Sequence, residues 1–303
     1  MKRIVITEFM EDAAVASLRE AFDVSYSPKL AGERAALLSA VAHADALIVR
    51  NRTRVDRELV AAARQVRVVG RLGVGLDNID LAACGERGIA VIPATGANAL
   101  SVAEYVICTA MLLLRGAYFS TAAVADGRWP REALSGGREL AGKTLGVVGF
   151  GVIGRKVAAL GAALGMQVCT FDPAVSADEP GARRCGLDEL LRRSDVVSLH
   201  VPLERETRNL LDAGRLALMK EHAVLINTAR GGIVDEAALA AALRAGRLGG
   251  AALDVFADEP LPAGSPLAGA PNLVLTPHVA GLSRESNVRV SRMIAERVTQ
   301  ALR

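Results

Sequence analysis

Lys143-Thr144-Leu145-Gly146-Val147-Val148-Gly149-Phe150-Gly151-Val152-Ile153-Gly154 is the stretch whose reading decides the fold. Leu145 to Val148 is a short apolar run closed by a glycine, the pattern of a buried parallel strand. Gly149, Gly151 and Gly154 then form G-x-G-x-x-G where the strand passes into a helix predicted over 152–164. Each glycine has its own task. The first permits a tight turn, the second lets a pyrophosphate approach the backbone, and the third lets helix and strand pack closely. The start of the helix would face phosphates with unpaired N–H groups and the positive end of its dipole. Glycine is common in this chain, at 29 residues, so the spacing alone could mark an ordinary turn. The context decides. A second strand, Val168 to Phe171, follows and ends in Asp172. That acid stands 18 residues after Gly154, close to the roughly 20 expected of a carboxylate on an adenosine ribose.

Working outward, 303 residues suit two domains, each able to bury its own core. A net charge of +3 gives no argument for nucleic acid or a membrane surface as partner. The most apolar helix, Val102 to Leu114, contains Glu104 and is too short to span a bilayer. Cys84, Cys108, Cys169 and Cys185 are scattered without a C-x-x-C pair, so reduced thiols and a cytoplasmic location are expected. Met1 leads straight into the strand-like RIVIT, so no signal peptide is expected, and no Cys/His cluster suggests a metal.

Before the glycine fingerprint, strands are predicted over 3–7, 46–49, 66–69 and 89–92, with helices over 12–22, 33–40 and 56–63 between them. This alternation predicts an α/β unit with a parallel sheet. Its one glycine-rich turn, Gly70-Arg71-Leu72-Gly73-Val74-Gly75, reads either as a plain strand-to-helix turn or as an anion-binding loop of backbone N–H groups. A long helix is predicted over 101–126, with Ser101 and Glu104 as a capping box. After the fingerprint, strands are predicted over 195–199, 224–226, 250–253 and 273–275. Asp235 is expected to cap a helix ending near Leu243, and a final helix covers 283–302. Six strands would complete a doubly wound sheet, whose ligands sit outside the carboxyl ends of the strands. Gly149, Asp172, His200, Arg230, Asp254 and His278 all follow strand ends directly, so they are expected on one edge.

Three residues near that edge suit redox chemistry on a hydroxy acid. Arg230 offers a planar, permanently charged fork for a carboxylate. His278 can act as general acid or base, and Glu259 can hold its imidazole. Singly, each has a bland reading: a surface charge, a satisfied loop histidine, a solvated acid. Together, beside a dinucleotide fold, they point to catalysis. His200 is expected in the adenine pocket, while His43 and His222 receive no role.

GRLGVGLDNID from Gly70, GVVGFGVIG from Gly146, HVPL from His200, NTARGGIVDE from Asn227, ALDVFADEP from Ala252 and TPHVAG from Thr276 resemble the D-isomer-specific 2-hydroxyacid dehydrogenase family over nearly the whole chain. The resemblance, nearest to phosphoglycerate-dehydrogenase-like members, implies two doubly wound parallel-sheet α/β domains with a cleft between them. One is a flavodoxin-like substrate domain of residues 1–98 and 283–303. The other is a Rossmann NAD-binding domain of residues 99–282. It implies Arg230, Glu259 and His278 as catalytic residues. It assigns Val74 and Gly75 to the substrate carboxylate and Asp254 to the nicotinamide. The candidate NAD-binding residues are Gly149, Gly151, Val152, Ile153, Gly154, Asp172, Pro173, His200, Val201, Pro202, Thr207, Thr228, Ala229, Arg230, Asp254, His278 and Gly281. A homodimer through the helix from Ser101 is implied, and no regulatory extension is expected beyond Arg303.

The expected activity is interconversion of a D-type 2-hydroxy acid and its 2-oxo acid with NAD. Arg50 and Arg52, in VRNRTR after the strand over 46–49, are expected to bind a second anionic group. Candidate substrates are (S)-3-sulfolactate and (R)-3-phosphoglycerate. They share one spatial arrangement, because sulfur on C3 raises that branch above the carboxylate in priority. The alternatives are a glyoxylate or hydroxypyruvate reductase and a non-catalytic NAD(H)-sensing binding protein.

Overall fold

A computed structural model describes all 303 residues. The chain divides into two compact units, Met1–Asn98 with Leu282–Arg303, and Ala99–Gly281.

In the first unit, β1 (Arg3–Ile6), β2 (Asp23–Tyr26), β3 (Ala46–Val49), β4 (Val68–Arg71) and β5 (Ala90–Pro93) form a parallel sheet in the order β2-β1-β3-β4-β5. That is the flavodoxin-like winding. Alternate side chains go to opposite faces, as a period of two requires. Ile4, Ile6, Ile48 and Val68 meet α1 (Asp12–Arg19) and the C-terminal α11 (Arg284–Leu302). Val5, Leu47, Val49 and Val69 meet α2 (Arg34–Val41), α3 (Arg57–Ala62) and α4 (Leu81–Glu86). The last helix belongs to this unit because Gly70 leaves room for it. A Cβ there would come within 2.8 Å of both Ile294 and Val298.

In the second unit, β6 (Thr144–Val148), β7 (Gln167–Phe171), β8 (Arg183–Arg184), β9 (Val196–Leu199), β10 (Val224–Asn227), β11 (Gly250–Leu253) and β12 (Leu273–Leu275) form a seven-stranded parallel sheet, ordered β12-β11-β10-β9-β6-β7-β8. The order reverses between β6 and β9, the place where such sheets bind ligands. One face is covered by α5 (Ala99–Arg115) and α7 (Val152–Ala163), the other by α8 (Leu187–Arg193), α9 (Ala213–Leu216) and α10 (Glu236–Arg244). Leu190, Leu191, Leu199 and Leu225 are completely buried, each contributing about 1.5–3 kcal/mol by leaving water. As expected, Asp235 caps α10, accepting from Ala238 N at 2.9 Å. Asp56, Asp80 and Asp212 start α3, α4 and α9 in the same way, a device whose loss costs about 0.5–2 kcal/mol per helix.

Several expectations are corrected. The helix predicted over 101–126 is two helices, because Gly116 at φ 66° breaks it before α6 (Thr121–Ala125). The axis turns by 66° there. α5 begins at Ala99, so Ser101 lies inside its first turn and not ahead of it. The strand predicted over 66–69 is shifted to Val68–Arg71. The nucleotide sheet has a seventh strand, β8, and the first unit has β2; both are edge strands without an apolar run. No single helix is long and apolar enough to cross a membrane.

Candidate active site

The strand ends of the nucleotide unit lie in register. Val148 is level with Phe171 and Leu199, Leu199 with Asn227, Asn227 with Leu253, and Leu253 with Leu275. Gly149, Asp172, His200 and Asp254 therefore leave the sheet along one edge, and Arg230 and His278 each follow three residues after their strands, β10 and β12.

The glycine turn has the expected close packing. Gly149 sits at φ 91° against the His200 backbone, where a Cβ would approach to 2.6 Å. A Cβ on Gly154 would meet the Gly149 carbonyl oxygen at 2.1 Å, so turn and helix are pressed together. Gly151 is the opposite case, with nothing within 4 Å of its Cβ position. It is also the N-cap of α7 and supplies no side-chain cap. The first N–H groups of that helix, at Val152 and Ile153, are left for an outside acceptor.

Asp172 is held beside this turn. Its Oδ2 accepts from Phe150 N at 2.7 Å and its Oδ1 from Ala174 N, just past Pro173, at 2.8 Å. Each oxygen keeps a further lone pair for a hydroxyl. His200 Nε2 lies 2.8 Å from Ser198 Oγ, and burial pushes its imidazole down to about 3, so it is neutral. After Val201 and Pro202, Thr207 donates to the Pro202 carbonyl at 2.6 Å and accepts from Glu204 N at 2.7 Å, shaping that loop. Thr228 Oγ1 is buried with no partner. An orphaned hydroxyl, an open glycine and an uncapped helix start fit a dinucleotide.

The chemistry-bearing side chains are fixed by buried neighbours. Asn227, 1% exposed, donates to the Arg230 carbonyl at 2.9 Å and accepts from Ala229 N at 3.0 Å. Gly231 brings this loop against the next one: a Cβ there would come within 1.7 Å of the Phe256 carbonyl oxygen. Arg230 Nη1 donates to the Ala229 carbonyl at 2.6 Å. Glu259 Oε1 accepts from Phe256 N at 3.1 Å, and its Oε2 lies 2.8 Å from His278 Nδ1. The two side chains are 37% and 46% exposed, so a ligand can reach the pair.

His278 has φ 57°, a left-handed conformation that costs a non-glycine residue about 1–2 kcal/mol. Asp254 holds it there. The Asp254 carbonyl accepts from His278 N at 2.9 Å. Its carboxylate, 1% exposed with the rest of the residue, accepts from Thr276 Oγ1 at 2.6 Å and from Val279 N and Ala280 N at 2.8 Å each. Tyr105 OH, 2.7 Å from Thr276 Oγ1, extends this network, and burial raises the phenol's pKa. The sequence marked Asn227 only as the start of a motif, assigned no role to Tyr105, and did not disclose this holding role of Asp254. A polar residue closing an otherwise apolar strand was the available signal for the first and the last. His222 pairs with Asp195 at 3.3 Å, away from the strand ends that carry these groups.

In the first unit, Leu72 N donates to the Val49 carbonyl at 2.8 Å, and the chain turns through Gly73. No intramolecular hydrogen bond occupies the N–H groups of Val74 and Gly75. Arg50 is half-buried, and its Nη2 donates to Asn287 Oδ1 at 2.7 Å. Burial lowers its pKa, opposed by the charge of Glu8. Arg52 and Arg54 are exposed, and their guanidinium groups make no hydrogen bond or ion pair. They line a cavity of about 470 Å³ together with Asp77 and Asn78, and another of about 260 Å³ together with Gly32 and Arg34.

Residues 107–280 match the family model described as D-isomer specific 2-hydroxyacid dehydrogenase, NAD binding domain. The chain belongs to that family. This dehydrogenase is 55% identical over 306 residues to the (S)-sulfolactate dehydrogenase of Chromohalobacter salexigens, covering 100% of this chain and 99% of that one. It is 40% identical over 299 residues to the D-3-phosphoglycerate dehydrogenase of Archaeoglobus fulgidus, covering 98% of this chain but 56% of that longer one. Among solved structures it is similar to D-lactate dehydrogenase from Aquifex aeolicus complexed with NAD and lactic acid, with a TM-score of 0.84 and 29% identity, over 99% of this chain and 95% of that one. The dehydrogenase is thus an NAD-dependent oxidoreductase that interconverts 2-hydroxy acids and 2-oxo acids.

Proposed function

We propose that the substrate is a 2-hydroxy acid with a second anionic group on C3, and that it is (S)-3-sulfolactate. The 55% identity to an (S)-sulfolactate dehydrogenase across the whole chain carries this reading, against 40% for the phosphoglycerate dehydrogenase. The unpaired guanidinium of Arg52, exposed after β3, supports it, since a surface arginine with no ion-pair partner is a ready receptor for a sulfonate or phosphate. Arg50, with one nitrogen engaged by Asn287, and Arg52, with none engaged, are the proposed contacts.

NAD, when bound, supplies the hydride acceptor for oxidation and the hydride donor for reduction. This chain's residues orient the substrate and move a proton. In the second unit Arg230 would offer a fork for a carboxylate, and in the first unit the open N–H groups of Val74 and Gly75 are donors suited to a carboxylate. The Glu259 carboxylate accepts from His278 Nδ1–H, which fixes the tautomer and leaves Nε2 to exchange a proton with the substrate oxygen. For the cofactor, the N–H groups of Val152 and Ile153 would hold the pyrophosphate and Asp172 would accept from the ribose hydroxyls.

The exposed Leu100 and Met111 on α5, Tyr118 and Phe119 in the turn after it, Val124 on α6 and Trp129 beyond it support assembly as a homodimer, checked by sedimentation. The four free cysteines suit the reducing cytoplasm. The deciding experiment is steady-state oxidation by NAD of 3-sulfolactate, 3-phosphoglycerate, glycerate, malate and lactate. The highest specificity constant is expected with (S)-3-sulfolactate; a preference for glycerate or lactate would overturn the second-anion reading.

A further inference from the structure

The loop Arg50–Thr53 is gripped from two sides by side chains to which no role has been given. On one side stands Glu8, which follows β1 closely and is 5% exposed. Its carboxylate accepts from the N–H groups of Arg50 at 2.8 Å, Asn51 at 3.3 Å, Arg52 at 3.0 Å and Thr53 at 3.0 Å. An ionised carboxylate offers about four lone-pair sites and no donor, so this one loop uses its whole capacity. On the other side stands Asn78, whose Nδ2 donates to the carbonyls of Arg50 at 3.1 Å and Thr53 at 2.7 Å. The donors and acceptors of the loop are therefore fixed independently.

Asn78 also ties the loop to its neighbour. It stands three residues after Gly75, at the exit of the glycine turn. Val55 N donates to the Asn78 carbonyl and Asp80 N to the Val55 carbonyl, each at 2.8 Å. The segment carrying Arg50 and Arg52 and the segment following Val74 and Gly75 are thus stapled together within one unit. All four N–H groups of the loop are thus satisfied, which fixes its backbone while Arg52 stays exposed and Arg50 half-buried.

We infer that Glu8 and Asn78 are positioning residues for substrate discrimination, fixing the arginine loop against the glycine turn and so setting the distance between the carboxylate grip and the second-anion grip. This rests on the reading that Arg50 and Arg52 receive the second anion. Changing Glu8 to Gln places an NH2 donor opposite N–H groups of the loop, while changing Asn78 to Ala leaves two carbonyls without their donor.

The test is steady-state kinetics with 3-sulfolactate and 3-phosphoglycerate against D-glycerate, in wild type, Glu8→Gln, Asn78→Ala, Arg50→Ala and Arg52→Ala. Thermal melts and NADH affinity report whether each variant is folded. Glu8→Gln and Asn78→Ala are expected to lower the ratio of specificity constants, second-anion substrate over glycerate, by about tenfold through KM, with kcat for glycerate within about threefold. If Glu8→Gln does not fold, Asn78→Ala decides alone. A folded Asn78→Ala that keeps the wild-type ratio, while either arginine variant lowers it, overturns the positioning role and leaves the second-anion reading standing. If neither arginine variant lowers the ratio, the second-anion reading fails and this inference falls with it.

Discussion

Two buried carboxylates near strand ends do similar work in the two units, and the difference between them is instructive. Asp254 and Glu8 both gather backbone N–H groups and hold a loop that carries a functional side chain. Asp254 uses its bonds to keep one strained residue, His278, in a left-handed conformation against the dyad partner Glu259. Glu8 uses four bonds on a loop whose arginine side chains stay outside the clamp. The chemical step tolerates little freedom, since a proton must pass between fixed atoms. Recognition of a side group tolerates more, and there the backbone is rigid while long side chains do the reaching. On the proposed roles of His278 and the arginine loop, one device would serve chemistry and specificity at different tolerances.

The largest effect is expected at the reacting group. His278→Ala should lower turnover by about 10²–10⁴-fold, the usual worth of general acid–base catalysis. NADH affinity, measured by fluorescence quenching, should stay near wild type, because the glycine turn is untouched. Near-normal turnover in a folded variant would remove His278 from the reaction.

Next comes the clamp itself. Asp254→Asn exchanges one acceptor oxygen for a donor, which then faces the N–H of either Val279 or Ala280, since these bond to different carboxylate oxygens. It should lower kcat by about tenfold or more on every substrate alike, as loss of one hydrogen bond to a charged group does. Glu8→Gln, by contrast, should act on KM and only where a second anion is present. If both variants altered the same kinetic constant on all substrates, the contrast between the two clamps would be broken.

A smaller effect belongs to the cofactor. Asp172 is proposed to accept from the ribose hydroxyls and would repel a 2′-phosphate, so Asp172→Ala should narrow the preference for NAD over NADP. Specificity constants for both cofactors check this, and an unchanged ratio would place the ribose elsewhere.

The smallest effect concerns stability against pH. His200 titrates at about 3 in the fold, against an ordinary value of 6.5, because burial disfavours its charged form. The unfolded chain takes up a proton below about 6.5 that the fold refuses until about 3, so this residue lowers stability as pH falls across that window. Above it, the residue has no such effect. His200→Gln should flatten the acid side of a plot of melting temperature against pH; an unaltered acid limb would mean that His200 is not the group responsible.

Local chemistry alone specified much of this protein. The fingerprint glycines, Asp172 after a strand, and Asp235 before α10 are each legible because one short segment carries the whole physical reason: a turn, a ligand distance, a cap. The core strands were legible because burial on both faces leaves a continuous apolar run, as in Ala46–Val49 and Gly250–Leu253. The edge strands Asp23–Tyr26 and Arg183–Arg184 were not, since a strand paired on one side only needs no such run. The break at Gly116 escaped for a related reason: a single glycine inside a helical pattern is tolerated or fatal according to what packs around it. Arg230, Glu259 and His278 could be picked out as candidates from their places along the chain. That Glu259 reaches His278, that Gly231 lets the Arg230 loop touch Phe256, and that Glu8 closes around residues 42 to 45 positions away depend on contacts between distant segments. Such contacts are set only when sheet register and loop packing are complete, which is why the tertiary structure alone decided them.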